Sequence, residues 1–248
     1  MKLLVSDFDG TLYQNQNIAK YAQTQVKRWQ DKGNYFILAT GRDLPSIMEK
    51  INSYEIDPDF IIGNNGATIN KTIISKVKNA SYELLKHRII NNRDLFQEIK
   101  ISYIFENKIH TKKSTVSICE IKKFLEFFNE KEVIQISVKA NSVHGAVEFI
   151  KANATSFPDM NFLKNIETID IVDYSVNKLF TIQRIKKDLG ILDKNIYTIG
   201  DGLNDLQMIT NYQSATFPWA SDEVIAVANS QVNTVGEFIN QISYDLDS

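Results

Sequence analysis

Two aspartates near the start of the chain are the first residues that could do chemistry. Asp7 and Asp9 are two positions apart, follow the apolar residues 3–5 and precede Gly10-Thr11. The apolar run predicts a buried strand of a parallel sheet, so the aspartates fall at its carboxyl end, where open α/β sheets bind ligands. Adjacent carboxylates repel one another, and a hard cation such as Mg2+ would relieve that repulsion. Because these residue types also suit a turn, the segment alone leaves a metal site and a turn equally open.

Further polar or charged segments follow, or lie close to, other predicted strands. They are Thr40-Gly41-Arg42, Asn64-Asn65-Gly66-Ala67, Lys178 and Gly200-Asp201-Gly202-Leu203-Asn204-Asp205. The carboxyl ends of parallel strands open on one edge of a sheet, so three acids, one hydroxyl and one ammonium can converge there. Phosphoryl transfer on Mg2+ needs such a set, because it requires a nucleophile, a metal and a positive group for the remaining charge.

Each of these residues also has a structural interpretation when it is taken alone. Thr40 could cap a helix, Lys178 could be a surface lysine, and Asp205 could be an acid that complements a helix dipole. The occurrence of the segments in this order favours a site over these separate interpretations. Arg42 stays open between a substrate contact and a structural ion pair.

The elements that must position these residues alternate between strand and helix. Apolar runs at residues 35–39, 60–62 and 196–199 predict buried strands, and helical patterns lie between them. This rhythm occupies residues 1–75 and returns over residues 173–248. It predicts an α/β core with a Rossmann-like, doubly wound parallel sheet.

Residues 76–172 follow a different pattern. Residues 99–105 and 133–138 alternate as strands do, whereas residues 117–129 and 142–154 have the spacing of amphipathic helices. Two-faced patterns of this kind predict an α+β module on an antiparallel sheet, inserted into the first domain. We expect a cleft where the two domains meet.

The composition argues against several kinds of partner. The chain of 248 residues has a formal net charge of −2, so it gives no reason to expect nucleic-acid or membrane binding. No apolar run approaches the roughly 20 residues of a membrane span, and the first one is too short for a signal peptide. The single cysteine, Cys119, fits a reducing compartment and is interpreted as a packing residue. We therefore expect a soluble, cytoplasmic protein.

Taken together, these motifs resemble those of the haloacid dehalogenase superfamily of phosphotransferases. Asp7-Phe8-Asp9-Gly10-Thr11-Leu12 is a moderate signal by itself, and it becomes strong together with Ala39-Thr40-Gly41-Arg42 and the segment at 200–205. The insertion is similar to that of the Cof-type sugar-phosphatase branch, which has a large α/β cap between its second and third motifs. The resemblance runs through the whole chain.

The resemblance implies catalytic and metal-binding roles. Asp7 would attack the phosphorus and carry an aspartyl-phosphate, and Asp9 would protonate the leaving oxygen and later activate water. Asp7, the backbone carbonyl of Asp9 and Asp201 would hold Mg2+, while Asn204 and Asp205 would support the metal or its waters. Two carboxylates agree with the one or two that Mg2+ usually takes from a protein.

The resemblance also implies residues that hold the substrate. Thr40, Gly41 and Lys178 would bind the phosphoryl oxygens, and Lys178 would also restrain Asp7. Arg42 and Asn65 are candidates for contacts with the rest of the substrate.

Two positions depart from the family pattern. Leu179 follows Lys178, at a position where the family often has glycine. This difference does not affect the ammonium of Lys178. Phe217-Pro218-Trp219-Ala220 replaces a Met-Gly-Asn-Ala-like stretch, so a substrate or core–cap contact at that point is in doubt. Trp219 is interpreted as packing on the core rather than stacking on a substrate ring.

The histidines, which show no metal-ligand spacing, are His87, His110 and His144.

We predict a Mg2+-dependent phosphatase that acts on a small phosphorylated metabolite, as a monomer or homodimer, with specificity set by the cap at 76–172. A phosphomutase or a specialised sugar-phosphate phosphatase on the same core is the alternative enzyme. A regulator that binds a phosphorylated ligand without catalysis is the alternative of another class. The regulator is disfavoured by the intact residues Asp7, Asp9, Lys178 and Asp201, since a binding protein gains nothing from a nucleophile and an acid kept together.

Overall fold

The computed structural model describes residues 1–116 and 120–244, which form two sheets with helices packed on them. In chain order the strands are β1 (Leu3–Ser6), β2 (Tyr35–Ala39), β3 (Phe60–Gly63), β4 (Thr68–Ile69), β5 (Thr72–Ile73), β6 (Phe96–Phe105), β7 (Lys108–Thr115), β8 (Glu132–Ala140), β9 (Met160–Asn165), β10 (Thr168–Asp173), β11 (Ile196–Ile199), β12 (Gln213–Thr216) and β13 (Ser230–Gln231). The helices are α1 (Lys20–Asp31), α2 (Leu44–Ile51), α3 (Asn79–Asn91), α4 (Ile121–Glu126), α5 (Val143–Asn153), α6 (Lys178–Leu189), α7 (Leu206–Asn211), α8 (Asp222–Ile225) and α9 (Val235–Tyr244).

The first sheet has the strand order β13-β12-β11-β1-β2-β3-β4-β5. From β13 to β3 neighbouring strands are parallel, and the short β4 and β5 add an antiparallel edge. Because β1 lies between β11 and β2, the carboxyl ends of these three strands meet at the middle of one sheet edge. The predicted doubly wound parallel sheet is confirmed.

Helices cover both faces of this sheet, which explains the continuous apolar runs of its strands. Along β1, Leu4 packs into one hydrophobic cluster with Trp29 and Phe36, while Leu3 and Val5 pack into a second cluster on the opposite face. Successive side chains of a strand point to opposite faces, so both positions must be apolar when both faces are covered.

The second sheet has the order β7-β6-β8-β10-β9, and its neighbouring strands are antiparallel. Helices α3, α4 and α5 cover one face, where residues such as Leu85, Phe128 and Phe149 form a separate hydrophobic core. The opposite face carries the polar residues discussed below. The prediction of an antiparallel α+β module in this part of the chain is confirmed.

Strand β7 is the longest of the strands that the sequence pattern did not predict, and the others are the two-residue strands β4, β5 and β13. It lies at the edge of the second sheet and follows β6 through Glu106 and Asn107, which both have positive φ angles. Two such residues form the tight turn that suits a β-hairpin. Most of the β7 side chains are exposed, so the strand lacks the apolar alternation that marks a half-buried one.

The helix predicted for residues 117–129 is shorter within the described chain. Residues 117–119, which include Cys119, lie outside the described residues, and α4 ends at Glu126. Phe128 follows in a turn and is fully buried, so it contributes to the core from outside the helix. None of the helices in the described ranges combines the length and apolar character needed to cross a membrane.

Helix caps explain where the two helices nearest the site begin. Asp43 accepts a hydrogen bond of 2.9 Å from the Ser46 amide and caps α2, so Thr40 is not the cap. Asn177 Oδ1 accepts a hydrogen bond of 2.8 Å from the Phe180 amide and caps α6, which begins at Lys178. A cap of this kind typically contributes about 1 kcal/mol.

Candidate active site

Three carboxylates meet at the carboxyl edge of the first sheet. Asp7 follows β1, Asp201 follows β11, and Asp205 immediately precedes α7. One carboxylate oxygen from each lies within 4.8 Å of the others. The sheet therefore brings together acids that are almost 200 positions apart in the chain.

Lys178 lies between two of these acids. Its Nζ atom is 2.6 Å from Asp7 Oδ1 and 2.5 Å from Asp205 Oδ1, and its side chain is 2% exposed. Burial opposes the charge of the ammonium, but Asp205 and Asp7 outweigh that cost and raise the pKa of Lys178. Lys178 is therefore a buried cation that orients Asp7, and not a surface lysine.

Both carboxylate oxygens of Asp205 accept hydrogen bonds from the protein. Its Oδ1 accepts from Lys178, and its Oδ2 accepts from the backbone amides of Asp201 and Gly202 at 3.2 and 3.1 Å. Thr11 Oγ1 donates to Asp201 Oδ1 at 2.7 Å. Over residues 1–116 and 120–244, the Oδ2 atoms of Asp7 and Asp201 have no hydrogen-bond partner, which leaves these two oxygens available to a ligand.

The charges of this cluster do not balance. Burial, followed by the proximity of Asp205, raises the pKa of Asp7 well above its ordinary value, and burial raises the pKa of Asp201 to about 6. When all three acids are ionised, Lys178 leaves two negative charges uncompensated. A small divalent cation with oxygen ligands, such as Mg2+, fits both that charge and this donor set.

Asp9 is separate from the carboxylate cluster and pairs with Arg42. The Arg42 Nε and Nη2 atoms donate to Asp9 Oδ2 and Oδ1 at 2.7 and 2.8 Å, which is the bidentate geometry that suits guanidinium and carboxylate. The sequence left Arg42 open between a substrate contact and a structural ion pair, and in the structure Arg42 forms the ion pair.

The segment after β2 lies against the second sheet. Thr40 is buried, and its Oγ1 accepts from the Arg42 amide at 3.1 Å. The Gly41 carbonyl accepts from Gln135 Nε2 at 3.0 Å. A Cβ atom at Gly41 would lie 2.9 Å from Asp170 Oδ2, so the absence of a side chain permits this close approach.

Asn65 also contacts the second sheet. Its backbone has a positive φ of 57°, and its amide nitrogen donates to Asp170 Oδ2 at 2.9 Å and to Gln135 Oε1 at 3.2 Å. Asp170 also accepts from Ser137 at 2.5 Å, and burial raises its pKa. The substrate contact predicted for Asn65 stays a prediction, since its amide has protein partners in this structure.

Sequence reasoning missed Gln135, Ser137 and Asp170. The available signal was a polar residue at alternate positions of apolar strands, as in Ile169-Asp170-Ile171-Val172. Polar side chains on one face of an inserted sheet indicate that this face does not join the module's own core.

A cavity of about 270 Å³ lies between the two sheets. On the side of the first sheet its lining residues are Asp7, Asp9, Thr40, Gly41, Arg42, Asp201, Gly202 and Asn204. Strands β6, β8, β9 and β10 line the other side. Lys178 lies behind Asp7 and is not among the lining residues, so its contact with phosphoryl oxygens stays a prediction. The cleft expected between the domains is present at the carboxylate cluster.

Trp219 and His110 both lie against aromatic rings. Trp219 stacks on Phe217 with ring centroids 4.8 Å apart, in agreement with the packing interpretation. His110 lies against the rings of Tyr103 and Phe105, away from the carboxylates.

Comparison with known proteins identifies the class that this fold and site define. A model of the haloacid dehalogenase-like hydrolase family matches residues 4–237. The chain belongs to this family, and it is a phosphatase of the haloacid dehalogenase type.

Particular relatives agree with this assignment. The chain is 24% identical over 216 residues to the 5-amino-6-(5-phospho-D-ribitylamino)uracil phosphatase YcsE of Bacillus subtilis, with 84% of this chain and 80% of YcsE covered. Among solved structures, the subclass IIB sugar phosphatase BT4131 has a TM-score of 0.74 at 20% identity, with 99% of each chain covered. The phosphatase BT1666 from Bacteroides thetaiotaomicron has a TM-score of 0.77 at 17% identity over 98% of this chain and 94% of its own. The structural likenesses show a shared fold.

Proposed function

We propose that the chain is a Mg2+-dependent phosphatase that hydrolyses a small phosphorylated metabolite through an aspartyl-phosphate on Asp7. The observation that carries this proposal is the pair of Oδ2 atoms on Asp7 and Asp201 at the cavity, which have no hydrogen-bond partner among the described residues and lie beside the buried Lys178. One of these oxygens can attack a phosphorus atom while the other helps to hold the metal. The names of YcsE and BT4131 support a substrate with a phosphorylated polyhydroxy chain.

The proposed reaction has two steps that balance in bonds and protons. Asp7 Oδ2 forms a bond to phosphorus as the bond to the leaving oxygen breaks, and Asp9, which has left Arg42 and taken a proton from solvent before this step, donates that proton to the leaving oxygen. Water then attacks the aspartyl-phosphate, gives a proton to Asp9 and releases inorganic phosphate and the Asp7 carboxylate. Bound Mg2+ would supply positive charge to the phosphoryl oxygens. Lys178 favours the ionised form of Asp7 before the attack and orients its carboxylate.

Arg42 has a defined place in this proposal. It holds both carboxylate oxygens of Asp9 in the ligand-free arrangement, so Asp9 must leave at least one of these contacts to reach a leaving oxygen.

The proposal is tested by phosphate release from p-nitrophenyl phosphate and a panel of sugar phosphates, with Mg2+ and after chelation. We expect release only with the metal. A phosphomutase would instead release little phosphate and require a bisphosphate activator. Turnover of no compound in the panel, or equal turnover after chelation, would contradict the proposal. The cap boundaries 76–172, the cytoplasmic location and the monomer or homodimer stay predictions.

Asp9→Asn is expected to affect substrates according to their leaving groups. An alkoxide needs a proton as it leaves and p-nitrophenolate does not, so kcat/KM should fall about 10²-fold or more for glycerol phosphate and far less for p-nitrophenyl phosphate. The charge-matched control is Asp31→Asn at an exposed position, which should change neither value. Equal losses on the two substrates would argue against a proton donor at Asp9.

Gly10→Ala is expected to weaken the metal site. Gly10 has a φ of 83°, and a Cβ atom there would lie 2.4 Å from Asp201 Oδ2. We expect the Mg2+ concentration for half-maximal activity to rise about tenfold or more, because Asp201 must move. Gly33→Ala is the control, since Gly33 has a φ of 76° with nothing within 4 Å of the added atom. It should cost about 1 kcal/mol of stability through backbone strain alone, with unchanged Mg2+ dependence. An identical Mg2+ dependence in both variants would count against the assigned role of Asp201.

A further inference from the structure

The second sheet presents two rows of polar side chains to the cavity. The row nearer the contact with Gly41 consists of the cross-strand neighbours Lys100, Ser137 and Asp170. The outer row consists of the cross-strand neighbours Glu98, Lys139, Thr168 and Asn165. Along β6, β8 and β10 each outer residue is two positions from an inner one, so the rows are about 7 Å apart.

The alternation of the strands explains why these residues face the cavity. The intervening residues Ile99, Val138 and Ile169 are buried in the core beneath the module's helices. Successive side chains of a strand point to opposite faces of the sheet, so the residues on either side of these three point away from the helices and toward the first sheet. The two rows are therefore fixed to one sheet and extend the cavity wall away from the contact with Gly41.

Most charges on this wall have protein partners. The Lys100 ammonium is 3.7 Å from Asp43, and the Glu98 carboxylate is 3.6 Å from Lys113 on the neighbouring strand. Asp170 accepts hydrogen bonds from Ser137 and Asn65. These groups are largely compensated before any substrate binds.

Lys139 differs from the other charged groups of the wall. Within the described part of the chain, its ammonium makes neither a hydrogen bond nor an ion pair, although it lines the cavity. Lys139 is exposed, as an ordinary surface lysine would be, but it lies at the centre of the outer row, between Glu98 and Thr168, and it lines the cavity. It is an uncompensated positive charge at the end of the wall farthest from the Gly41 contact.

The rest of the lining limits the chemistry of the substrate. No aromatic side chain is present among the described residues that line the cavity, so this wall offers no surface on which a nucleobase could stack. The hydroxyls of Ser137 and Thr168 and the amide of Asn165 instead suit the hydroxyl groups of a polyol.

We propose that the substrate is an extended polyhydroxylated phosphate monoester with a second anionic group, a carboxylate or another phosphate, at the end remote from the reacting phosphoryl group. Lys139 binds this second anion. The inference rests on the proposed phosphatase function and specifies which phosphorylated metabolites it acts on. Charge-assisted hydrogen bonds to a lysine are among the stronger polar contacts, so one such pair can select between substrates.

Two matched substrate pairs test the proposal in the full chain with Mg2+. The first compares 6-phosphogluconate with glucose 6-phosphate, and the second compares fructose 1,6-bisphosphate with fructose 6-phosphate. We expect kcat/KM to favour the anionic member of at least one pair about tenfold, which corresponds to one charge-assisted contact. Preference in the first pair alone indicates a carboxylate, and preference in the second alone indicates a phosphate.

Lys139→Met should abolish that preference mainly by raising KM for the anionic member. Lys108→Met removes the same charge from an exposed position of the same sheet outside the cavity lining, and it should leave the preference unchanged. Thermal unfolding confirms that both variants fold. The proposal is overturned if the unmodified chain hydrolyses p-nitrophenyl phosphate but prefers neither anionic member, or if the two lysine variants behave alike. Absence of any hydrolysis, including that of p-nitrophenyl phosphate, would instead overturn the proposed function itself.

Discussion

Asp7→Asn should abolish phosphate release from p-nitrophenyl phosphate in Mg2+, with a loss of at least about 10⁴-fold in kcat, as is typical when a nucleophile is removed. The carboxamide has nearly the shape of the carboxylate but lacks the charged oxygen that would attack phosphorus. In the structure this oxygen is Asp7 Oδ2, while Lys178 holds the other one. Steady-state kinetics with purified protein measures the effect directly.

The fold should survive this change. Asp7, Asp201 and Asp205 outnumber the one buried ammonium of Lys178, so replacement of one acid by an amide reduces charge repulsion in the cluster. Asp188→Asn makes the same substitution at an exposed position of α6 and should retain full activity. Circular dichroism and thermal unfolding should show a folded Asp7→Asn protein. Activity close to that of the Asp188→Asn control would rule out Asp7 as the nucleophile.

Lys178→Met should remove activity and also destabilise the protein by about 3–5 kcal/mol, the usual cost of leaving buried charges without their partner. The methionine side chain fills similar space but leaves Asp7 and Asp205 without the ammonium that is 2.6 and 2.5 Å from them. The loss should be visible as a lower free energy of unfolding in urea at neutral pH, where ionised carboxylates repel one another most.

A matched control and a metal titration separate this effect from a general loss of packing. Lys187→Met lies on the exposed side of the same helix and should leave stability within about 0.5 kcal/mol of the original. Mg2+ should stabilise Lys178→Met more than the unmodified chain, because a divalent cation would neutralise the same carboxylates. Equal stabilities of the two lysine variants would show that the Lys178 ion pairs do not support the fold.

The sequence by itself determined the sheet edge and the acids that meet there. Apolar runs that are buried on both faces predict parallel strands, and the carboxyl ends of such strands must lie at one edge. For that reason the pattern of the chain is sufficient to place Asp7 and Asp201 together. The same logic brought Lys178 to this edge, although its burial between two acids depends on packing around the start of α6.

Only the tertiary structure decided which partners the remaining polar residues have. Arg42 could be assigned to a substrate or to an ion pair, and its pairing with Asp9 depends on the relative positions of two strand ends. The contact of Asn65 with Asp170 joins residues 105 positions apart on different sheets.

The same limit applies to the wall that carries Lys139. Alternation along a strand shows which residues share a face, but it does not show which strands are neighbours or how their residues align. Cross-strand register placed Lys139 beside Glu98 and Thr168, and the packing of the second sheet over the first turned that face toward Asp7. These relations arise from contacts between distant segments, which no local pattern in the chain contains.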